Sequence, residues 1–304
     1  MKPSILFLFA SAAYAIPYSE YILAPKSRTL RPVSVHSSNG TINPEALLTT
    51  SVNTTTTTFA ADAATAYDFG INIAGLVSLD ITATSDAHQA IGVTFSESSL
   101  WISNASSDAT ADAGKDETLW FNITGPGRYT APREKERGGF RYMTLVHDGE
   151  GSVDVGGVDV WYTAMPHWEG EEGGLKEYSG WFNCDGTLHC LPSHSTFVRY
   201  CPDIPPDELL NRIFYAGAYT NQICTIDPTH GNALTHLFEI NSSISDATNV
   251  TWYYNYTITE GASALVDGAK RDRIVWAGGS YSPISPSPPN YLSYLIPFYI
   301  PFHQ

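Results

Sequence analysis

Positive charge is scarce in this chain: 16 Lys and Arg stand against 31 Asp and Glu, a formal charge of −15. A deficit of that size argues against nucleic acid and anionic membranes as partners, because both demand a basic footprint. Long apolar runs are also lacking. The run from Ile5 to Ala13 falls short of the ~20 residues that span a bilayer, and later apolar stretches are broken by Pro, so no membrane anchor is expected. Cysteine is confined to Cys184, Cys190, Cys201 and Cys224. His189 and His194 lie among them, but the spacing fits no zinc finger or knuckle, so disulfides are expected rather than a metal. Four cysteines allow three pairings, and the sequence does not choose among them. No cofactor is expected.

The N-terminus has the pattern of a cleavable signal peptide over residues 1–15: Lys2, the short apolar core, then Ala13-Tyr14-Ala15 before Ile16. Asn-x-Ser/Thr acceptors follow at Asn39, Asn53, Asn104, Asn122, Asn241, Asn249 and Asn255. In a secreted chain each marks a surface position that can carry an N-glycan. Together these features predict a secreted, extracellular glycoprotein.

Residues 16–58, rich in Ser, Thr and Pro, read as an extended arm or edge strand. From 59 to 166 the period is two: Val77, Leu79 and Ile81 alternate with polar neighbours, as do Ile91, Val93 and Phe95, then Phe140 and Tyr142, then Val158, Val160 and Tyr162. Turn formers at Thr84-Ser85-Asp86, Gly125-Pro126-Gly127, Asp148-Gly149 and Gly156-Gly157 divide these runs, which predicts an antiparallel β-sandwich. Trp101, Trp120 and Trp161 fall in this region; core or edge packing is their ordinary role, and stacking on a sugar is the alternative. Residues 167–206 have no clear period and read as a linker with an irregular insertion. A helix is predicted over 207–224, with Leu210, Ile213, Phe214, Gly217 and Asn221 on one face and Tyr215 and Tyr219 beside it as packing residues.

The densest polar cluster is Asp267-Gly268-Ala269-Lys270-Arg271-Asp272-Arg273, followed by Ile274-Val275-Trp276. On the residues alone it is either a solvated charge run or a carboxylate site in which Arg271 and Arg273 keep Asp272 ionised. The stretches Asp207 to Thr220 and Leu265 to Arg273 resemble fungal α-L-rhamnosidase-type proteins of glycoside hydrolase family 78. Phe95-Ser96-Glu97-Ser98-Ser99-Leu100 and Arg137-Gly138-Gly139-Phe140-Arg141-Tyr142 resemble the β-sandwich that precedes the catalytic domain in that group. The resemblance implies that residues 207–279 begin an (α/α)6 barrel, a six-hairpin glycosidase domain. It also implies a carbohydrate substrate and inverting release of terminal α-L-rhamnose. Asp272 would hold the catalytic general-acid position, and Asp267, Arg271 and Trp276 would bind substrate.

The resemblance ends where Gly279 replaces an expected carboxylate, and residues 280–304 form an unrelated Pro-rich tail. Twelve barrel helices need about 300 residues at ordinary helix and loop lengths. The chain is therefore expected to be a truncated relative, read through a splice site at Gly279, without its catalytic base. Two alternatives stand beside the hydrolase: a non-catalytic carbohydrate-binding or cell-surface β-sandwich, and a fragment without function.

Overall fold

The structure, a computed structural model, describes residues 18–48, 55–108, 115–168, 174–178, 181–183, 208–232, 254–270 and 273–275. Its body is built from β1 (Thr29–Leu30), β2 (Ser34–Ile42), β3 (Thr57–Thr84), β4 (Gln89–Ser96), β5 (Ser106–Ser107), β6 (Asp116–Glu117), β7 (Leu119–Ile123), β8 (Gly127–Thr130), β9 (Arg137–His147) and β10 (Val153–Tyr162). Eight of these form one hydrogen-bonded sheet in the order β1-β10-β3-β9-β4-β7, with β2 and β8 also on β3.

Strands usually run about 3–10 residues, so the 28 residues of β3 must serve two halves of the sheet. Its first part pairs with β2 and β9, from Ile42 opposite Thr58 to Asp68 opposite Tyr142. Its second part pairs with β10 and β8, from Tyr162 opposite Gly75 to Val153 opposite Thr84. Between them the register with β9 slips, from Asp68 to Ile73. Gly70 takes φ +79 there and donates its N–H to Asp68 Oδ1 at 2.6 Å, a bend that a residue with a Cβ would strain. The same carboxylate accepts Arg141 Nε and Nη2, each at 2.8 Å. Those hydrogen bonds hold the Asp68 carboxyl below the usual range.

Both halves bury their side chains in one core. Val77, Leu79, Ile81, Ile91, Val93, Phe95, Val158, Val160 and Tyr162 are buried, as the alternation predicts. Phe140 packs edge-on against Phe69 and Phe95, with ring centroids 5.7 and 4.7 Å away. Each buried Val, Leu, Ile or Phe contributes roughly 1.5–3 kcal/mol, so this shared core is the main stabilising term. On β7, at the end of the sheet, Leu119, Phe121 and Ile123 point inward while Trp120 and Asn122 point out. The turn expected at Gly156-Gly157 is instead a bulge inside β10, where the register slips from Val155 opposite Ile81 to Gly157 opposite Asp80. A Cβ on Gly156 would meet Thr82 Cγ2 at 2.7 Å, so glycine serves strand packing there.

Beyond the sheet, Arg28 gathers four backbone carbonyls, those of Tyr162, Ala164, Met165 and Trp168, at 2.8–3.0 Å. Helix α1 (Glu208–Ile223) lies within a residue of its predicted bounds. Its buried face, however, is Asn211, Tyr215, Ala218, Tyr219 and Gln222, while Ile213 is 56% exposed. The surface that α1 meets explains the rotation: it is aromatic and polar. Tyr215 stacks on Tyr21 at 5.7 Å, Tyr219 Oη donates to the Asn72 carbonyl at 2.6 Å, and Gln222 Oε1 accepts from Tyr178 Oη at 3.0 Å. Tyrosine satisfies both needs where Leu and Ile would strand those polar groups.

After α1 come the short strands β11 (Thr225–Ile226), β12 (Gly231–Asn232), β13 (Tyr254–Tyr256) and β14 (Ala264–Leu265), paired as β11 with β14 and β12 with β13. The described residues therefore show a β-sandwich with one α-helix and none of the expected helical hairpins. No helix among them is long and apolar enough to cross a membrane.

Two glycines give a paired prediction. A Cβ on Gly138 would sit 1.9 Å from the Ala269 carbonyl oxygen, whereas one on Gly217, on the exposed side of α1, meets nothing within 4 Å. Gly138→Ala should lower stability by roughly 1–3 kcal/mol, and Gly217→Ala should raise it by about 0.5–1 kcal/mol. Urea unfolding midpoints of the two variants check both signs.

Candidate functional site

Of the site residues implied by the resemblance, Asp267 lies within the described structure, while Arg271, Asp272 and Trp276 lie outside the described residues. Asp267 is exposed, its N–H donates to the Ile274 carbonyl at 3.3 Å, and its Oδ1 accepts the Ile274 N–H at 3.4 Å. Two neighbouring bases act as pins rather than as a solvated run. Lys270 Nζ lies 2.8 Å from Glu97 Oε2 and 3.4 Å from Asp108 Oδ2, and buried Arg273 donates to Glu136 Oε1 at 3.1 Å. The segments that carry the resemblance thus touch: Glu97 holds Lys270, and Gly138 lets residues 269–270 cross β9.

Glu136 is the centre of this docking. Burial alone would raise its carboxyl, but Arg273, His230 and the Thr163 hydroxyl outweigh that and bring it down to about 2. His230 contacts Glu136 through Nδ1 and receives Arg133 Nε at Nε2. Cys224, expected in a disulfide, is a free buried thiol whose carbonyl accepts the Val266 N–H at 2.9 Å. Burial pushes that thiol up to about 11. The other three cysteines lie outside the described residues.

A cleft of about 540 Å³ lies elsewhere, on the outer side of the sheet around β7. Trp120 forms one wall and is 43% exposed. Gly92 stands opposite it on β4. A Cβ there would come within 2.8 Å of the indole, so glycine at this position makes room for the ring across the strand pair. Asn104, Asp62, Glu117, His147 and Asp148 line the remainder. Asp62 holds a left-handed backbone at φ 55. The His147 ring is fixed by the Ala60 carbonyl and Gln89 Oε1, both at 2.7 Å, and Glu117 pairs with Lys135.

Chemically the cleft offers one flat apolar face and several carboxylate and amide oxygens, a set that suits a polyhydroxylated ligand. Among the described residues no cluster of three or more His, Cys, Asp or Glu is arranged to hold a metal ion. Core or edge packing is the ordinary role the sequence suggests for Trp120, and the structure turns it outward between buried Leu119 and Phe121. The sequence carried no signal for Asp62, Glu117 or Asp148, which converge only because β3, β6 and the end of β9 meet. Trp101 and Trp161 are exposed as well.

Because the folded Glu136 carboxyl sits at about 2 and an unfolded one near 4.3, its stabilisation is full above the unfolded value. That contribution fades as pH falls toward 2, since the unfolded chain takes up the proton first. Glu136→Gln should lose roughly 3–5 kcal/mol at neutral pH by breaking its buried charge pair with Arg273. It should also flatten the fall in urea midpoint between pH 5 and 3.

No protein-family model and no curated protein matches the chain. Several solved structures are similar over part of it. A CBM32 of AlyQ in complex with 4,5-unsaturated mannuronic acid is 10% identical over 43% of this chain and 96% of that one, with a TM-score of 0.30. A family GH78 rhamnosidase of Bacillus sp. GL1 is 17% identical over 40% of this chain but 13% of its own, with a TM-score of 0.29. A fucolectin from striped bass (Morone saxatilis) serum is 10% identical over 45% of this chain and 47% of its own, with a TM-score of 0.30.

Proposed function

We propose that this chain is a secreted carbohydrate-binding β-sandwich protein that takes neutral sugars at the Trp120 cleft. One observation carries the reading: an exposed indole packed close to Gly92 lines the same cleft as Asp62, Asn104, Glu117 and Asp148. The C–H face of a pyranose packs on such a ring. Its hydroxyls donate to carboxylates, and hydrogen bonds to ionised acceptors are the strong ones. Asp62 and Asp148 disfavour uronic acids, because desolvating like charges together is costly. The size lies within the roughly 300–1,000 Å³ of small-ligand clefts.

The resemblance to rhamnosidase-type proteins enters as ancestry and ligand class. Hydrolysis would need two carboxyls roughly 6.5–9.5 Å apart around a water. Asp272, the residue assigned to proton donation, lies outside the described residues, while the Trp120 cleft lies within them, so binding is the better supported activity.

The test is calorimetric titration of the chain produced without N-glycans, using neutral oligosaccharides that bear rhamnose, fucose or galactose, and a polyuronate. Binding of a neutral sugar, weakened at least about tenfold (1.4 kcal/mol) in Trp120→Ala, is the expected outcome. Undiminished binding in that variant, no binding of any neutral sugar, or preference for the polyuronate would overturn the reading.

A further inference from the structure

Asn104, at the wall of the Trp120 cleft, is itself an N-glycan acceptor in Asn104-Ala105-Ser106. We infer that a glycan on Asn104 folds back over Trp120, so that its first N-acetylglucosamine occupies the cleft and gates it against free sugars. This rests on the proposed binding role for its gating part, while the packing part stands on geometry alone.

The backbone around Asn104 is held on both sides. Before it, the Ser103 carbonyl accepts Thr94 Oγ1 at 2.5 Å. After it, the Ala105 N–H donates to Ser103 Oγ at 3.2 Å and the Ala105 carbonyl accepts Thr118 Oγ1 at 2.9 Å. Ser106 and Ser107 then pair with Glu117 and Asp116. Thr118 stands beside Trp120 over Gly92, with its Cγ2 2.7 Å from where a Cβ would be. The exposed Asn104 side chain thus lines the same cleft as the indole, and the first sugar of an attached glycan starts at that cleft. Tethering of this kind gives an effective concentration on the order of millimolar or above, enough to exclude a weakly bound free monosaccharide. N-Acetylglucosamine is neutral, so the cleft carboxylates do not repel it, and its amide and hydroxyls can donate to them.

Asn122 supplies the control. It is an acceptor on the same outward face of β7, exposed, but it does not line the cleft.

The experiment uses the full chain from a glycosylating host, with Asn104→Gln, Asn122→Gln, Trp120→Ala and the Asn104→Gln/Trp120→Ala double variant. Peptide mass spectrometry should find a glycan on Asn104; an unmodified Asn104 overturns the inference. Asn104→Gln should bind neutral sugar at least tenfold more tightly than the glycosylated parent, with Asn122→Gln unchanged; equal binding overturns the gating. In thermal unfolding, losing the glycan should lower the midpoint when Trp120 is present and leave it unmoved in the Trp120→Ala background. Additive effects overturn the packing. If Asn104→Gln binds no sugar while that coupling remains, the ligand-site reading falls and the packing stands.

Discussion

The bend in β3 is the constraint from which the rest follows. A strand that crosses from one half of the sheet to the other, with its β9 ladder interrupted between Asp68 and Ile73, forces both halves to share one core. That crossing needs a residue with positive φ, a local acceptor for its N–H and a counter-charge for the acceptor. Gly70, Asp68 and Arg141 supply these in turn. β9 continues along β3 past the bend to Ile73 and Gly75, and β10 pairs with both ends of β3, at 57–59 and 75–84, so these two strands tie its two parts together. The cleft inherits its walls from the same geometry, since Asp62 on β3 and His147 on β9 meet there.

A chain this acidic must neutralise the carboxylates it buries. It does so with a small set of bases used at full value. Arg137 pairs with Asp116, both fully buried, at 2.5 Å, and Arg273 pairs with Glu136. Such pairs add modest net stability but are costly to break, so they act as alignment devices. The first holds β6 against β9, and the second seats Arg273 on the sandwich. Exposed carboxylates such as Asp62 and Asp148 are left to face the cleft, where hydroxyl donors rather than cations suit them.

The sheet was legible because one face of each strand faces the core, and alternation records this directly at Val77-Leu79-Ile81 and Ile91-Val93-Phe95. The helix existed where its pattern placed it, but its buried face did not follow hydrophobicity, because the surface it meets is lined with tyrosine rings and backbone carbonyls. Gly156-Gly157 reads as a turn by composition, yet Thr82 on the neighbouring strand makes it a bulge. Cys224 reads as half of a disulfide, yet packing isolates its thiol.

The sequence alone determined the strand periods and the glycan acceptors, since each depends on residues within a few positions along the chain. Tertiary structure decided which charges pair, which face of α1 is buried and that Asp62, Asn104, Trp120 and Asp148 share one cleft. Those outcomes depend on partners far away in sequence, such as Glu97 for Lys270 and Glu136 for Arg273. Local pattern carries no record of such distances; the bend at Gly70 and the crossing over Gly138 bring these residues within reach.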